Sequence, residues 1–320
     1  MNRIRAAVVG VGYLGKFHAE KYASLPDVEL VGVADSDAVR AAEVAAAVGA
    51  HAFSDYRELA GRVDLVSIVV PTRMHFEVAS FFLDKGIHVL LEKPITTTVT
   101  EAVDLIAIAE SSGLVLQVGH LERFNPALEA VRSDIVHPGF IDAIRVAPYK
   151  PRGTDVSVVL DLMVHDLDII STLINSKIAS ISASGAAVFS REPDIANARI
   201  EFVNGATANV TASRISPKGE RRMLIFQEDA YISVDFQNRK SAISRKGEGE
   251  SAPGVSTVNC NEIDVPQKDQ ILAEIRAFVD SVRTESAPVV TGLDGMKALE
   301  TALLIEEKIR ENLRLLGSSR

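Results

Sequence analysis

The N-terminal third of the chain repeats one unit, a short and nearly uninterrupted apolar run followed by a segment of helical period. The apolar runs are Ile4 to Val9, Val28 to Ala34, Leu65 to Val70, His88 to Leu91 and Val115 to Val118. Such runs fit strands buried on both faces of a sheet. Between them lie Leu14 to Leu25, Ala38 to Val48, His75 to Lys85 and Thr100 to Ser112, stopped by Pro26, Gly49, Gly86 and Gly113. Parallel strands need a crossover, so this alternation implies an α/β fold with a doubly wound parallel sheet.

After Gly119 the rhythm changes. A short helix at Pro126 to Arg132, a strand at Phe140 to Ala147 and a helix at Val158 to Leu173 are followed by strand patterns with no helix between them. Asn204-Gly205 reads as a type I′ hairpin turn. Gly247 to Asn261 reads as a long loop, and helices are expected at Lys268 to Arg283 and Gly295 to Glu311. At 320 residues the chain exceeds one ordinary domain. The expected division is 1–121, carrying the parallel sheet, and 122–320, an α/β domain with a large, mostly antiparallel open sheet.

A formal net charge of -9 argues against nucleic acid or an anionic membrane as partner, since both need a basic footprint. Cys260 is the only cysteine, so there is no intramolecular disulfide. No apolar run approaches a membrane span and the N-terminus shows no secretory pattern, so a cytoplasmic location is expected. No His, Cys and carboxylate cluster has zinc-like spacing, and no metal is expected.

Gly10-Val11-Gly12-Tyr13-Leu14-Gly15 matches G-x-G-x-x-G between a strand and a helix. In that context Gly10 makes the tight turn, Gly12 lets a pyrophosphate approach the backbone, and Gly15 lets helix and strand pack closely, which is the Rossmann arrangement. Asp35 ends the second strand, where a carboxylate accepts the ribose hydroxyls and repels a 2′-phosphate, favouring NAD over NADP. The alternative for Asp35 is turn capping.

Glu92-Lys93-Pro94 and Pro71-Thr72-Arg73-Met74-His75 each follow a strand, at the sheet edge where ligands of open α/β folds bind. Position alone leaves Lys93 either facing a cofactor or solvated, and His75 either near the nicotinamide or starting a helix. In the helix around Asp161 to Asp168, about 3.6 residues per turn places Asp161, His165, Asp168 and Thr172 on one face, with Met163, Leu167, Ile170 and Ile174 opposite. Asp161 can orient His165 as a general base, or the two can form an ordinary buried polar pair. Arg123, Asn125, Lys150 and Arg152 can receive an anionic substrate group or remain ordinary loop residues.

These motifs, in this order and together with Pro288-Val289-Val290-Thr291-Gly292-Leu293-Asp294-Gly295, resemble the Gfo/Idh/MocA oxidoreductase family over nearly the whole chain. The resemblance implies an NAD-dependent dehydrogenase assembled as a homodimer or homotetramer, with Lys93, Asp161 and His165 as the catalytic set. His165 is then the base, Asp161 its orienting partner and Lys93 a ligand of the same oxygen; Lys93 as the base is the alternative. Tyr13, Leu14, Pro71, Thr72, His75, Glu92 and Lys93 join Gly10, Gly12, Gly15 and Asp35 around the cofactor. A cis Lys93-Pro94 bond is also implied. Gly119 to Pro126 and Pro151 to Val156 resemble the branch acting on nucleotide sugars, implying oxidation of the 3-hydroxyl of a UDP-N-acetyl sugar. Inositol or free-sugar dehydrogenases, keto-sugar reductases, NAD-dependent glycoside hydrolases and a non-enzymatic NAD-binding sensor are the alternatives.

Overall fold

The computed structural model describes residues 3–150 and 156–318. The chain divides into two units, Met1–Leu121 with Asp269–Leu299, and Glu122–Lys268 with Glu300–Arg320.

In the first unit, β1 (Ile4–Val9), β2 (Val28–Ala34), β3 (His51–Phe53), β4 (Leu65–Ile68), β5 (His88–Glu92) and β6 (Leu116–Gly119) form one sheet in the order β3-β2-β1-β4-β5-β6. All the pairings are parallel. The crossovers carry α1 (Gly15–Ser24), α2 (Ala38–Val48), α3 (His75–Asp84) and α4 (Val99–Ser111). The order in which strands are added reverses between β1 and β4, so the carboxyl end of β1 is the switch point where such sheets bind ligands. β3 carries too few residues to show a hydrophobic period, which is why sequence reading passed over it.

Asp269–Leu299 groups with this unit, not with the second domain to which the sequence boundary gave it. The reason is an apolar face. In α7 (Gln270–Thr284), Ile275, Phe278 and Val279 are buried in one cluster with Ala6, Val8, Ala19 and Tyr22. Arg276 and Arg283 also reach Asp27 at 2.8 and 2.6 Å. The loop after α7 runs along β6, where the Val118 N–H donates to the Val290 carbonyl at 3.1 Å. A Cβ at Gly295 would lie 2.7 Å from the Val118 side chain, which accounts for a glycine there.

In the second unit, α5 (Pro126–Glu129) and β7 (Phe140–Val146) precede a π turn, Val159–Met163, that runs into α6 (Val164–Ile174). Then come β8 (Ile178–Ala186), β9 (Ile195–Phe202), β10 (Thr207–Ser213), β11 (Glu220–Phe226), β12 (Ala230–Asp235), β13 (Lys240–Ala252) and β14 (Val255–Ile263). They form an eight-stranded sheet in the order β14-β13-β12-β11-β7-β10-β9-β8. Only the β7 and β10 pair is parallel. Every second residue of β9 is buried, and Ala196, Ala198, Ile200 and Phe202 pack in one core with Val159, Met163, Leu167 and Ile170. The last helix, α8 (Gly292–Ser318), adds Ala302, Ile305 and Ile309 to that core.

Two local expectations are corrected. Gly247 to Asn261 is not a loop but most of the β13–β14 hairpin, turning at Gly254 with φ +75°. Its residues are largely exposed on both faces, so no apolar alternation marks them as strand. The Asn204-Gly205 hairpin forms, but only Gly205 has positive φ, at +87°. The Gly205 N–H donates to the Phe202 carbonyl and the Phe202 N–H to the Ala206 carbonyl, both at 2.9 Å. This is a three-residue loop with the left-handed glycine last, in place of the two-residue type I′ turn.

Candidate active site

The glycine motif lies at the switch point, and each glycine has a separate reason. Gly10 takes φ +85°, and a Cβ on it would fall 2.6 Å from the Val69 carbonyl oxygen. At Gly15 a Cβ would sit 1.9 Å from the Gly10 carbonyl oxygen, so helix and strand meet there without room for a side chain. Around Gly12 a Cβ would meet nothing within 4 Å. The protein does not itself demand glycine at that position. The open space there fits a pyrophosphate backed against the chain.

Helix α1 begins beside that opening with no side-chain cap and no acidic residue in its first turn. Its N-terminal dipole is therefore available to an anion. Leu14 is its N-cap, and Tyr13 is exposed with its ring edge-on to Phe17 at 5.6 Å. Asp35 follows β2, and its carboxylate accepts the Val11 N–H at 2.9 Å and the Asp37 N–H at 2.9 Å. Arg40 lies 3.4 Å from Asp35 and 3.0 Å from Asp37. The first turn of α2 brings the Arg40 guanidinium, a phosphate-binding group, back beside Asp35.

After β4, Pro71 leads into a 3-10 turn, Thr72–Met74, and His75 opens α3. Thr72 is half-buried and Pro71 exposed. His75 is buried, with Nδ1 at 2.8 Å from the Pro94 carbonyl and Nε2 at 2.9 Å from that of Val70. Burial pushes its pKa down against these two contacts. The imidazole thus braces the Lys93-Pro94 turn, whose peptide bond is cis. Glu92 turns into the unit, one carboxylate oxygen accepting the Lys93 N–H at 3.2 Å and the other 3.4 Å from His18 Nε2. Lys93 is half-buried at the carboxyl end of β5.

In the second unit, Asp161 is the middle residue of the π turn and His165 lies in the first turn of α6, both half-buried. The wider π turn departs from the uniform helical spacing expected for the polar stripe; π turns of this kind are frequent at functional sites. Met163, Leu167, Ile170 and Ile174 are buried as the apolar face requires.

Asp168, on the expected stripe, is committed elsewhere. Arg123 holds it with two hydrogen bonds of 2.6 and 2.9 Å, and both residues are buried. Asn125 caps α5 through the Ala127 N–H and donates to Glu122 at 2.9 Å. Arg145 grips Asp166 at 2.8 and 2.9 Å and Glu122 at 2.7 Å. Burial opposes the charge on Arg145, but Asp166 and Glu122 outweigh it and raise its pKa. The structure therefore places Arg123 and Asn125 in a buried ion network with Glu122, Arg145, Asp166 and Asp168. Lys150 is exposed, and Arg152 lies outside the described residues.

Residues 4–120 match the family model described as oxidoreductase family, NAD-binding Rossmann fold, and residues 130–233 match the Gfo/Idh/MocA C-terminal domain. The chain belongs to the Gfo/Idh/MocA oxidoreductase family. It is 39% identical over 98% of its length, and 100% of the other's, to a UDP-N-acetylglucosamine 3-dehydrogenase of Acidithiobacillus ferrooxidans. A solved structure of that dehydrogenase superposes with a TM-score of 0.90 at 38% identity, covering 97% of this chain and 98% of that one. A scyllo-inositol 2-dehydrogenase (NAD(+)) of Bacillus subtilis is 27% identical over 98% of this chain and 96% of its own. The protein is thus an NAD-dependent oxidoreductase of the dehydrogenase type, and the cradle at Gly12 and the carboxylate at Asp35 fit that cofactor. Among the described residues, no helix is long and apolar enough to cross a membrane.

Proposed function

We propose that this enzyme oxidises the 3-hydroxyl of a UDP-N-acetyl sugar, with NAD as the hydride acceptor. The observation that carries the reading is the full-length 39% identity to a dehydrogenase of that specificity, in a chain whose sequence carries Lys93, Asp161 and His165. Bound NAD supplies a carbon that accepts hydride. The chain's own residues do the rest. His165 takes the hydroxyl proton as the carbon-hydrogen bond breaks, Asp161 holds the imidazole in the competent orientation, and Lys93 hydrogen-bonds the same oxygen as charge develops on it. Lys93 as the proton acceptor is the alternative assignment.

The cofactor is held at Gly10, Gly12, Tyr13, Leu14 and Gly15, with Asp35 on the adenosine ribose. Pro71, Thr72 and the Glu92-Lys93 turn border the nicotinamide half, with His75 bracing that turn from inside. For the substrate, Lys150 and Arg152 are assigned to the pyrophosphate. Arg123 and Asn125 shape that region from within the buried network, since Arg123 is already bound to Asp168.

The protein is further proposed to work in the cytoplasm as a homodimer or homotetramer. Within the second unit, the rings of Phe140, Phe226 and Tyr231 lie side by side on one face of the sheet, with Phe226 and Tyr231 38% and 36% exposed, an apolar surface suited to self-association. The scyllo-inositol relative supports a second reading, an inositol dehydrogenase. Incubating the protein with NAD and a panel of UDP-N-acetyl sugars, free sugars and inositols, while following NADH absorbance, separates the two. Turnover of inositols in preference to every nucleotide sugar replaces the first reading with the second. Product without net NADH points to glycoside hydrolysis, and cofactor binding with no turnover at all points to a sensor.

A further inference from the structure

Behind the Lys93 turn, within the first unit, three ionisable side chains meet from three elements. His18 of α1 is 1% exposed, Glu274 of α7 is 1% exposed, and Glu92 closes β5. Ligand-capable atoms of the three all lie within 4.8 Å of one another, with His18 Nε2 at 3.4 Å from Glu92. Both carboxylate oxygens of Glu274 are buried without a hydrogen-bond partner among the described residues. The surroundings make room for the cluster. A Cβ at Gly119 on β6 would fall 3.0 Å from the Glu92 carboxyl. The neighbouring polar groups are Tyr22, bonded to Ser67 at 2.9 Å, and Gln117, whose amide donates to the Glu274 main-chain carbonyl at 3.2 Å. Glu92 also accepts the Lys93 N–H, and His75 feels its charge.

Charge counting decides the state of this cluster. With both carboxyls ionised and His18 neutral it would bury two negative charges a few ångströms apart, which a protein interior does not sustain. A proton on Glu274 removes one of these charges and leaves a single carboxylate, that of Glu92, beside His18 at 3.4 Å. Burial and the neighbouring Glu92 both push the Glu274 carboxyl well above its ordinary range, in agreement with this count.

We propose that Glu274 is a protonated positioning residue of this enzyme, which with His18 holds the Glu92 carboxylate in place and, through the Glu92 to Lys93 N–H contact, fixes the turn that presents Lys93. The inference rests on the catalytic reading of Lys93, but its stability consequence does not. A carboxylic acid whose folded pKa exceeds its unfolded one stabilises the fold at low pH and loses that stabilisation as pH rises through the folded pKa. Glutamine at 274 keeps the shape and the neutral amide without a proton to lose.

The test measures melting temperature from pH 6 to 9, together with kcat and KM, for the full-length enzyme and for Glu274→Gln and Glu274→Ala. The expected result is that E274Q melts above the wild type by a margin that widens with pH. E274A should lose about tenfold or more in kcat, the scale of a misplaced catalytic group, with the KM for NAD within about threefold, and E274Q should recover that kcat. E274Q melting below the wild type at every pH overturns the proposal. So does one equivalent of a divalent metal in the purified wild type by elemental mass spectrometry, lost in E274Q, because a cation would then be balancing the carboxylates. Normal kcat in folded E274A removes the positioning role. If E274A does not fold, the pH-dependent margin of E274Q still decides the protonation. A Lys93→Ala enzyme of normal kcat would defeat the catalytic reading while leaving that margin unchanged.

Discussion

Replacing Asp35 by alanine should convert a clear NAD preference into near indifference or a preference for NADP, and the structure sets the size of the change. The Asp35 side chain is only 7% exposed, so solvent screens its charge weakly. A hydrogen bond from a ribose hydroxyl to an ionised acceptor contributes about 1.5–3 kcal/mol, so its loss should lower kcat/KM for NAD by about 10- to 150-fold. For NADP the substitution removes a negative charge facing the 2′-phosphate. It also frees one contact of Arg40, an exposed arginine still held by Asp37 at 3.0 Å, whose direct gain is about 0.2–1 kcal/mol. Together the ratio of the two kcat/KM values should move by about 2–4 kcal/mol, or roughly 30- to 1000-fold. The Val11 N–H loses its acceptor as well, at about 1 kcal/mol of stability, so melting curves must accompany the kinetics. Steady-state rates with both cofactors check the prediction, and Arg40→Ala in the Asp35→Ala background should take back part of the NADP gain. A folded Asp35→Ala enzyme whose ratio shifts by less than about threefold would refute the assignment of Asp35 to the ribose.

Three further outcomes are expected. His165→Asn should keep its melting temperature and its KM for NAD while kcat falls by about 100-fold or more, and the rise of kcat with pH in the oxidation direction should vanish; near-normal turnover would pass the proton to Lys93. Gly12→Ala should leave the melting temperature of the cofactor-free protein unchanged, because a Cβ there meets nothing, and should raise the NAD dissociation constant, whereas Gly15→Ala should destabilise the protein through its clash with the Gly10 carbonyl. Asp194 is buried, which opposes its ionisation. The Ser190 hydroxyl and the N–H groups of Phe189, Ser190 and Val188 outweigh that and lower its pKa to about 2 from 3.8. A depressed carboxylate pKa stabilises the fold above the unfolded value and loses that stabilisation as pH falls toward the folded one. Asp194→Ala should therefore cost about 2 kcal/mol near neutral pH, with the gap to the wild type closing between about pH 4 and 2 in acid denaturation.

The parallel sheet could be read from the sequence because its strands are buried on both faces, so Val28–Ala34 and Ala38–Val48 show at once as an apolar run and a helix with a stop. The β13–β14 hairpin could not, because strands exposed on both faces carry no period and glycines at 247, 249 and 254 imitate a loop. The same reasoning explains why Asp269–Leu299 groups with the first unit although it follows most of the second in sequence. An amphipathic helix announces that it has a buried face, and nothing in its residues tells which core receives it; α7 lies some 150 residues along the chain from β6 yet packs in the β1 and α1 core.

Within the site, legibility depended on whether a residue's role follows from the backbone or from a partner. Gly10, Gly15 and Asp35 are dictated by the geometry of a strand, a turn and a helix, and the motif carries that geometry. Arg123 is different. A basic residue beside Asn125 and ahead of a polar helix has the composition of an anion site, and the same composition serves a buried ion pair. What separates the two is an acidic partner 45 residues away, Asp168, which a search for anion-binding groups does not seek. Breaking such a pair leaves an uncompensated buried charge, at about 3–5 kcal/mol, so the residues are bound to the fold as firmly as a ligand site is bound to its ligand. Glu92 and Glu274 show the converse: each is an ordinary charged residue of a strand end or a helix in sequence, and only the meeting of α1, β5 and α7 turns them into a buried cluster whose protons must be counted.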